Sequence, residues 1–245
     1  MLKYPLSSQR VLVILSHWSL ALFLLVTLTA CAGGIGGSAS VAWREEVLLH
    51  DGKKIIVERS QTYGGRHEVG QSPPVKELTI AFKQPGSGQR ITWTSEYAED
   101  LGRTNFDIAA LHVLNDTPYL VALPNLCLSY NKWGRPNPPY VFFKYEGNVW
   151  KRIALEELPT EFKDTNMVIN NLGEAEALKS QSLVSAERVK ELNAKLRQPE
   201  YKTILLKTFP QEQMTTMCAE MIHYKCGWIS PIGDFGRKFM DSTCK

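Results

Sequence analysis

The stretch that decides the fold is Val47-Leu48-Leu49-His50-Asp51-Gly52-Lys53-Lys54-Ile55-Ile56-Val57-Glu58. Two apolar runs flank Asp51-Gly52, a type I′ hairpin signal because both central residues of such a turn need positive φ. An antiparallel pair is therefore predicted, with Val47 to His50 facing Lys53 to Glu58. The same grammar repeats outward along the chain. Leu78 to Lys83 returns through Pro85-Gly86-Ser87-Gly88 to Ile91 to Ser95. Ile108 to Leu114 turns at Asn115-Asp116-Thr117-Pro118 into Tyr119 to Leu123, and Tyr140 to Tyr145 turns at Glu146-Gly147-Asn148 into Val149 to Ala154. Their spacing is too loose for a repeat and too short for four-stranded propeller blades. The expected fold is mainly β (α+β overall): an antiparallel hairpin meander forming a sandwich or partly closed barrel, with a C-terminal helical part.

After Pro159 the texture becomes helical. Ser185 to Arg197 is predicted as a helix capped by Ser185, with Val189, Leu192 and Leu196 on one face and Glu191 and Lys195 as an i,i+4 pair. Tyr201 to Lys207 is predicted as one more strand. Gln211 to Tyr224 has Met214, Met217, Cys218, Met221 and Ile222 at helical spacing, which predicts a second helix with Cys218 turned to the core.

The first thirty residues differ from the rest. Lys3 and Arg10 are their only charged side chains, and an apolar run from Val11 to Leu28 follows, the layout of an export leader. Ser16-His17-Trp18-Ser19 interrupts that run, which suits a processed leader better than a spanning helix. Leu28-Thr29-Ala30-Cys31 resembles the lipobox of bacterial lipoproteins. The resemblance implies cleavage before Cys31, acylation of its thiol (diacylglycerol, and palmitate on the new N-terminus) and contact with a lipid bilayer through those chains. Several acyl chains hold firmly because each buried methylene contributes about 0.8 kcal/mol. Ala32 at the second position, where the family's inner-membrane members have aspartate, implies sorting to the outer membrane of a Gram-negative envelope. The expected layout is residues 1–30 signal peptide, 31–41 Gly/Ser tether, 42–160 antiparallel β domain, and 161–245 a helical, disulfide-clipped part packed on it.

Removing residues 1–30 leaves 215 residues with 26 Lys+Arg against 25 Asp+Glu, so the apparent basicity nearly vanishes and nucleic acid is not expected as a partner. With Cys31 used for lipid, Cys127, Cys218, Cys226 and Cys244 remain, an even set in a compartment that oxidises thiols. Four cysteines permit three pairings. The expected one is Cys127 with Cys218 and Cys226 with Cys244, the latter closing a short loop worth roughly 3 kcal/mol. None of the four forms a C-x-x-C knuckle of a thiolate zinc site.

Tyr130-Asn131-Lys132-Trp133-Gly134-Arg135-Pro136-Asn137-Pro138-Pro139-Tyr140 is the most distinctive stretch. Tyr130, Lys132, Trp133, Arg135 and Tyr140 in a proline-stiffened loop could stack on sugar rings or dock an extended peptide, and the same aromatics could plug one end of the β domain. His67-Glu68 begins like a zincin motif but lacks the second histidine. Met214, Met217, Met221 and His223 are soft ligands of the kind copper(I) prefers, although the three methionines lie on a helix stripe that core packing also explains and His223 falls off that face. No nucleophile elbow, phosphate loop or dinucleotide fingerprint occurs, and no cofactor is expected. Asn131 to Pro136, Tyr140 to Tyr145 and Glu156 to Pro159 resemble exported proteins of Gram-negative bacteria that have no assigned function. The functional expectation is an envelope lipoprotein with a non-catalytic binding or structural role, its partner another envelope protein or a glycan. A periplasmic hydrolase acting on glycan or peptide, and a copper-binding protein, are the alternatives.

Overall fold

The computed structural model describes residues 40–169, 178, 181–210 and 218–244. Cys31, the expected signal peptide, most of the tether, and Met214 and Met217 lie outside the described residues. Strands β1 (Ser40–Leu48), β2 (Lys54–Tyr63), β3 (Val75–Lys83) and β4 (Arg90–Ser95) form one antiparallel sheet in that order. A small hairpin, β5 (Tyr97–Ala98) and β6 (Arg103–Thr104), leads to the second sheet. There β7 (Phe106–Leu114), β8 (Thr117–Pro124), β9 (Val141–Glu146) and β10 (Val149–Ile153) pair in the order β10-β9-β8-β7. The fold is mainly β with two antiparallel, sandwich-like sheets that do not close into a barrel. Ser40 and Val41, expected in the tether, already belong to β1, because Val41 is buried beside Trp43.

The first sheet alternates as a half-buried surface should. Val47, Val57, Leu78, Ile80, Phe82, Ile91 and Trp93 point inward and meet Phe106, Ile108, Leu111, Leu120 and Val141 of the second sheet. Each such aliphatic or aromatic side chain contributes roughly 1.5–3 kcal/mol on burial. The second sheet is covered on its other face too, where Ala110, Val121, Leu123 and Phe142 pack on Leu158, Phe162, Ile169 and Ile204. That double burial explains why β7 reads as a near-continuous apolar run. A bulge inserts Ala109, since Ile108 pairs with Ala122 and Ala110 with Val121. The bulge switches the parity of the strand, so that Phe106 and Ile108 before it, and Leu111 and Val113 after it, face the same core.

Exposed strand edges invite unwanted pairing, and two of them are covered by chain from the second half. On β1, Glu46 N donates to Val184 O at 2.8 Å and Val184 N to Arg44 O at 2.9 Å. On β7, the Asn166 carboxamide substitutes for a neighbouring strand. Its Oδ1 accepts from Leu111 N at 2.9 Å, and its Nδ2 donates to Leu111 O at 2.8 Å and to Leu48 O of the first sheet at 2.9 Å. On the opposite side Trp150 Nε1 of β10 donates to Thr92 O of β4 at 2.9 Å.

Turn chemistry differs from expectation in one place. At Leu49 to Lys53 only Gly52 has positive φ (84°), so the loop is longer than a two-residue type I′ turn. The paired positive φ values fall at Asn115 (50°) and Asp116 (57°), and at Gly147 (62°) and Asn148 (64°), residue types that tolerate them.

Among the described residues, α1 (Leu126–Lys132) joins β8 to β9, and α2 (Ala186–Ala194) and α3 (Phe235–Thr243) follow the second sheet. Ser185 caps α2 by accepting from Arg188 N at 3.2 Å. Glu191 pairs with Arg188 at 3.0 Å instead of Lys195, which sits at the C-cap. The strand expected over Tyr201 to Lys207 is absent. Pro199–Tyr201 is a 3-10 turn, and the irregular chain after it is held by Ile204 N donating to Lys163 O, by an isolated bridge at Thr203 and by bonds between its backbone and the Tyr140, Thr165 and Asn137 side chains, its apolar side chains packing on the second sheet. The helix expected to reach Tyr224 does not. Ile222 to Tyr224 form β11, which turns at Lys225-Cys226 onto β12 (Gly227–Ile229), because Ile222-His223-Tyr224 and Trp228-Ile229 favour a hairpin. Cys218 is joined to Cys127, and Cys226 to Cys244, as the sequence reading expected. Cys218 sits in irregular chain rather than on a helix.

The cover on the second sheet includes a titratable contact. His112 stacks on Phe162 at 4.6 Å, and its Nε2 lies 3.2 Å from Asp164 O. Burial pushes its imidazole down to about 4. Between about pH 6.5 and about pH 4 the unfolded chain takes a proton that the folded chain refuses, so stability falls as pH falls through that window. The full effect is roughly 3 kcal/mol. Urea midpoints at pH 7.5 and 4.5 should therefore differ less in His112→Gln than in the parent. Parallel pH profiles would refute the assignment.

Candidate functional site

The Tyr130 to Tyr140 stretch is used largely inside the molecule. Tyr130 and Lys132 lie in α1, a helix that the sequence reading took for loop. Trp133 packs on Phe106 at 4.5 Å, donates from Nε1 to Asn105 Oδ1 at 3.1 Å and lies under the Arg152 guanidinium. It closes one end of the sandwich, as the plug alternative expects. Lys132 pairs with Asp100. Arg135 donates to Cys218 O at 2.9 Å, and Asn131 donates to Ala219 O and accepts from Met221 N. Asn137 takes both backbone groups of Phe209, from N at 2.7 Å and to O at 2.8 Å. The buried Tyr140 hydroxyl reaches Glu200 O at 2.9 Å and Thr203 O at 3.1 Å, and burial pushes its phenol up. The stretch does dock peptide, namely residues 200–209 and 218–221 of the same chain. Met221 and His223 sit in this docked segment and on β11, with the His223 ring against Trp228. They share no helical stripe. Among the described residues no group of three His, Cys, Asp or Glu could hold a metal ion.

A groove lies beside this bracket. One cavity, of about 480 Å³, opens between the ends of β2, β6, β7 and β8 and includes Gln61, Tyr63, Pro74, Arg103 and Asp107 in its wall. A second, of about 320 Å³, lies against the Cys127–Cys218 disulfide, Tyr130, Pro139 and Glu200. Leu123, Pro124, Leu126 and Tyr201 line both, so the two cavities adjoin across these residues. Leu126 stands on the shared rim. It is 61% exposed and holds φ at 65°, a left-handed backbone that costs a leucine roughly 1–2 kcal/mol. At the inner wall of the second cavity the Tyr130 hydroxyl is buried without a hydrogen-bond partner.

The polar floor of the first cavity is built on a buried charge cluster. Arg59 of β2 donates from Nη1 to Glu45 Oε1 of β1 at 3.3 Å and to Val168 O, and from Nη2 to Asp107 Oδ1 of β7 at 3.3 Å. Its guanidinium also lies 4.7 Å from the centre of the Trp43 ring. Glu45 Oε2 accepts from Trp43 Nε1 at 3.0 Å. Burial pushes the Glu45 carboxyl up, while Arg59 and these donors pull it back. The cluster ties both sheets to the 166–169 segment and fixes Asp107 at the groove. Burial, together with the Glu200 and Asp107 charges, raises the Tyr201 phenol, so that it stays a neutral donor. Burial likewise raises the Glu200 carboxyl. The groove thus offers apolar rings and prolines, a protonated phenol, and acceptors on either side of it, a lining suited to an extended chain with alternating polar and apolar groups.

Of the described residues the sequence singled out, Tyr130, Pro139 and the Cys127–Cys218 pair reach this groove. Leu126, Tyr201, Asp107 and Arg59 were missed. The one local signal was Arg59-Ser60-Gln61, a polar run continuing an apolar strand. No protein-family model, curated protein or solved structure matches the chain.

Proposed function

We propose that the chain is a lipid-anchored binding protein of the bacterial cell envelope, held by acyl chains on Cys31 and presenting the groove around Leu126 to an extended segment of another envelope protein or a glycan strand. The observation that carries the binding half is Leu126, an exposed apolar side chain kept in a strained left-handed backbone between two adjoining cavities. Strain of this kind persists where the surrounding structure over-determines it, and it gathers at ligand clamps. The lipobox resemblance supports the anchoring half. Residues 31–39 supply a leash of small residues before β1.

The two halves are tested separately. Intact mass should show an acylated chain beginning at Cys31, and Cys31→Ser should lose the added mass. A Cys31→Ser chain with unchanged acyl mass would end the lipoprotein reading. For the groove, Leu126→Gly relieves the left-handed backbone and should raise stability by about 1 kcal/mol. In intact envelopes a photo-crosslinking residue at Tyr63, on the groove wall, should capture one dominant partner in the parent and several-fold less of it in the Leu126→Gly background. Equal capture in both backgrounds would sink the groove reading and leave the anchor untouched.

A further inference from the structure

A third cavity, of about 570 Å³, lies apart from the groove and shares none of its lining residues. It is enclosed by the β1–β2 turn, β7, residues 161–166 and the first turns of α2. Its floor is aromatic and apolar: His112 stacked on Phe162, the His50 ring 5.2 Å from Phe162, and the buried side chains of Leu49 and Val189. Its rim has Lys163, Lys190 and Lys202, contributed by three separate parts of the chain. None of the three is ion-paired to a described carboxylate, although Glu161 and Asp164 also line the cavity. The local balance is net positive before either histidine is counted.

One buried polar atom here lacks a partner. His50 Nδ1 makes no hydrogen bond, whereas His112 is fully committed: its Nε2–H serves Asp164 O, and its Nδ1 lies 3.4 Å from Asn166 Nδ2. Leaving a buried ring nitrogen unsatisfied is costly, so His50 Nδ1 is a polar group that the described chain leaves for a partner from outside it. We infer that this cavity binds a small free organic anion, a phosphate or carboxylate head held by the three lysines and the His50 ring, with a short apolar or aromatic body laid over Leu49 and Val189. The volume falls in the range of small-molecule sites, and lysine serves an anionic head as a point charge without demanding one head geometry. Three amines lining one cavity also raise the local concentration of anions ahead of binding.

Phenyl phosphate is the probe, titrated into the full chain in a non-ionic detergent and followed by calorimetry and by the His50 ring resonances. Saturable binding that shifts His50, at least tenfold tighter than inorganic phosphate and than benzyl alcohol, supports the assignment. Lys163→Gln, Lys190→Gln and Lys202→Gln together should weaken it at least tenfold at unchanged melting temperature, the exposed lysines being dispensable for folding. Leu48→Trp, which narrows the entrance and leaves every charge in place, should weaken it as well. Inorganic phosphate binding as tightly as phenyl phosphate would overturn the apolar-body part. Benzyl alcohol binding as tightly, or binding unaffected by the triple substitution, would overturn the anion site.

Discussion

Arg59→Met should lower stability by about 3–5 kcal/mol, the cost of removing one member of a buried ion cluster. The side chains of Arg59 and Glu45 are both fully buried, and the guanidinium serves Glu45, Asp107 and Val168 O together. Without it the Glu45 carboxyl stays buried with its neutral donors only, and Val168 O loses its buried partner. For a domain of this size the loss corresponds to roughly 6–20 °C in Tm. Glu45→Gln combined with Arg59→Met should recover part of it, because the uncompensated buried charge leaves with the glutamate. Arg59→Lys should fall between, since a single ammonium cannot reach three acceptors that a forked guanidinium reaches. Urea unfolding of the four chains checks this. A cost below 1 kcal/mol for Arg59→Met would mean that the cluster is ornamental.

The second large effect concerns the long disulfide. Cys127→Ser with Cys218→Ser should cost about 2–4 kcal/mol under oxidising conditions, because the bond closes a loop of 91 residues and restricts the unfolded chain strongly. The loss should be global. The closed loop contains β9, β10, the chain covering the second sheet and all of α2, so opening it frees the cover as a unit. Cys226→Ser with Cys244→Ser should act locally instead. That bond spans 18 residues and clips α3 to a hairpin on which it already packs, through Gly236 against Ile229 and Gly227 against Met240. The urea midpoint should stay close to that of the parent, while amide exchange accelerates in residues 222–244 alone. Equal midpoint losses in the two pairs would contradict the difference in loop span.

Much of the meander was legible because hairpin signals are local. Asn115-Asp116 and Gly147-Asn148 sit between alternating apolar runs, and a turn that accepts positive φ needs nothing from the rest of the chain. The Ser185 cap and the apolar face of α2 were legible for the same reason. Legibility failed where distant chain supplies the partner. β2 continues past Glu58 through Arg59 and Gln61 only because Glu45, Asp107 and Val168 wait across the core. The apolar chain after Tyr201 forms no strand because it covers a sheet face rather than joining an edge. The Tyr130 to Tyr140 stretch reads as a free binding loop because its aromatics, amides and cations are what any peptide-docking surface needs, and nothing local reveals that residues 200–209 and 218–221 already bond to it.

The line between the two kinds of knowledge runs through the hairpin at Val47 to Glu58. Periodicity and turn chemistry sufficed for its antiparallel pairing and for the mainly β class, since each depends on residues close in sequence. Tertiary structure alone decided that Asn166 and Val184 seal the sheet edges, that Arg59 is buried among carboxylates, and that Leu126 is left standing at the mouth of a groove. Those outcomes depend on which backbone and side-chain groups still lack a partner once the sheets have formed, and that is settled only when segments more than a hundred residues apart meet.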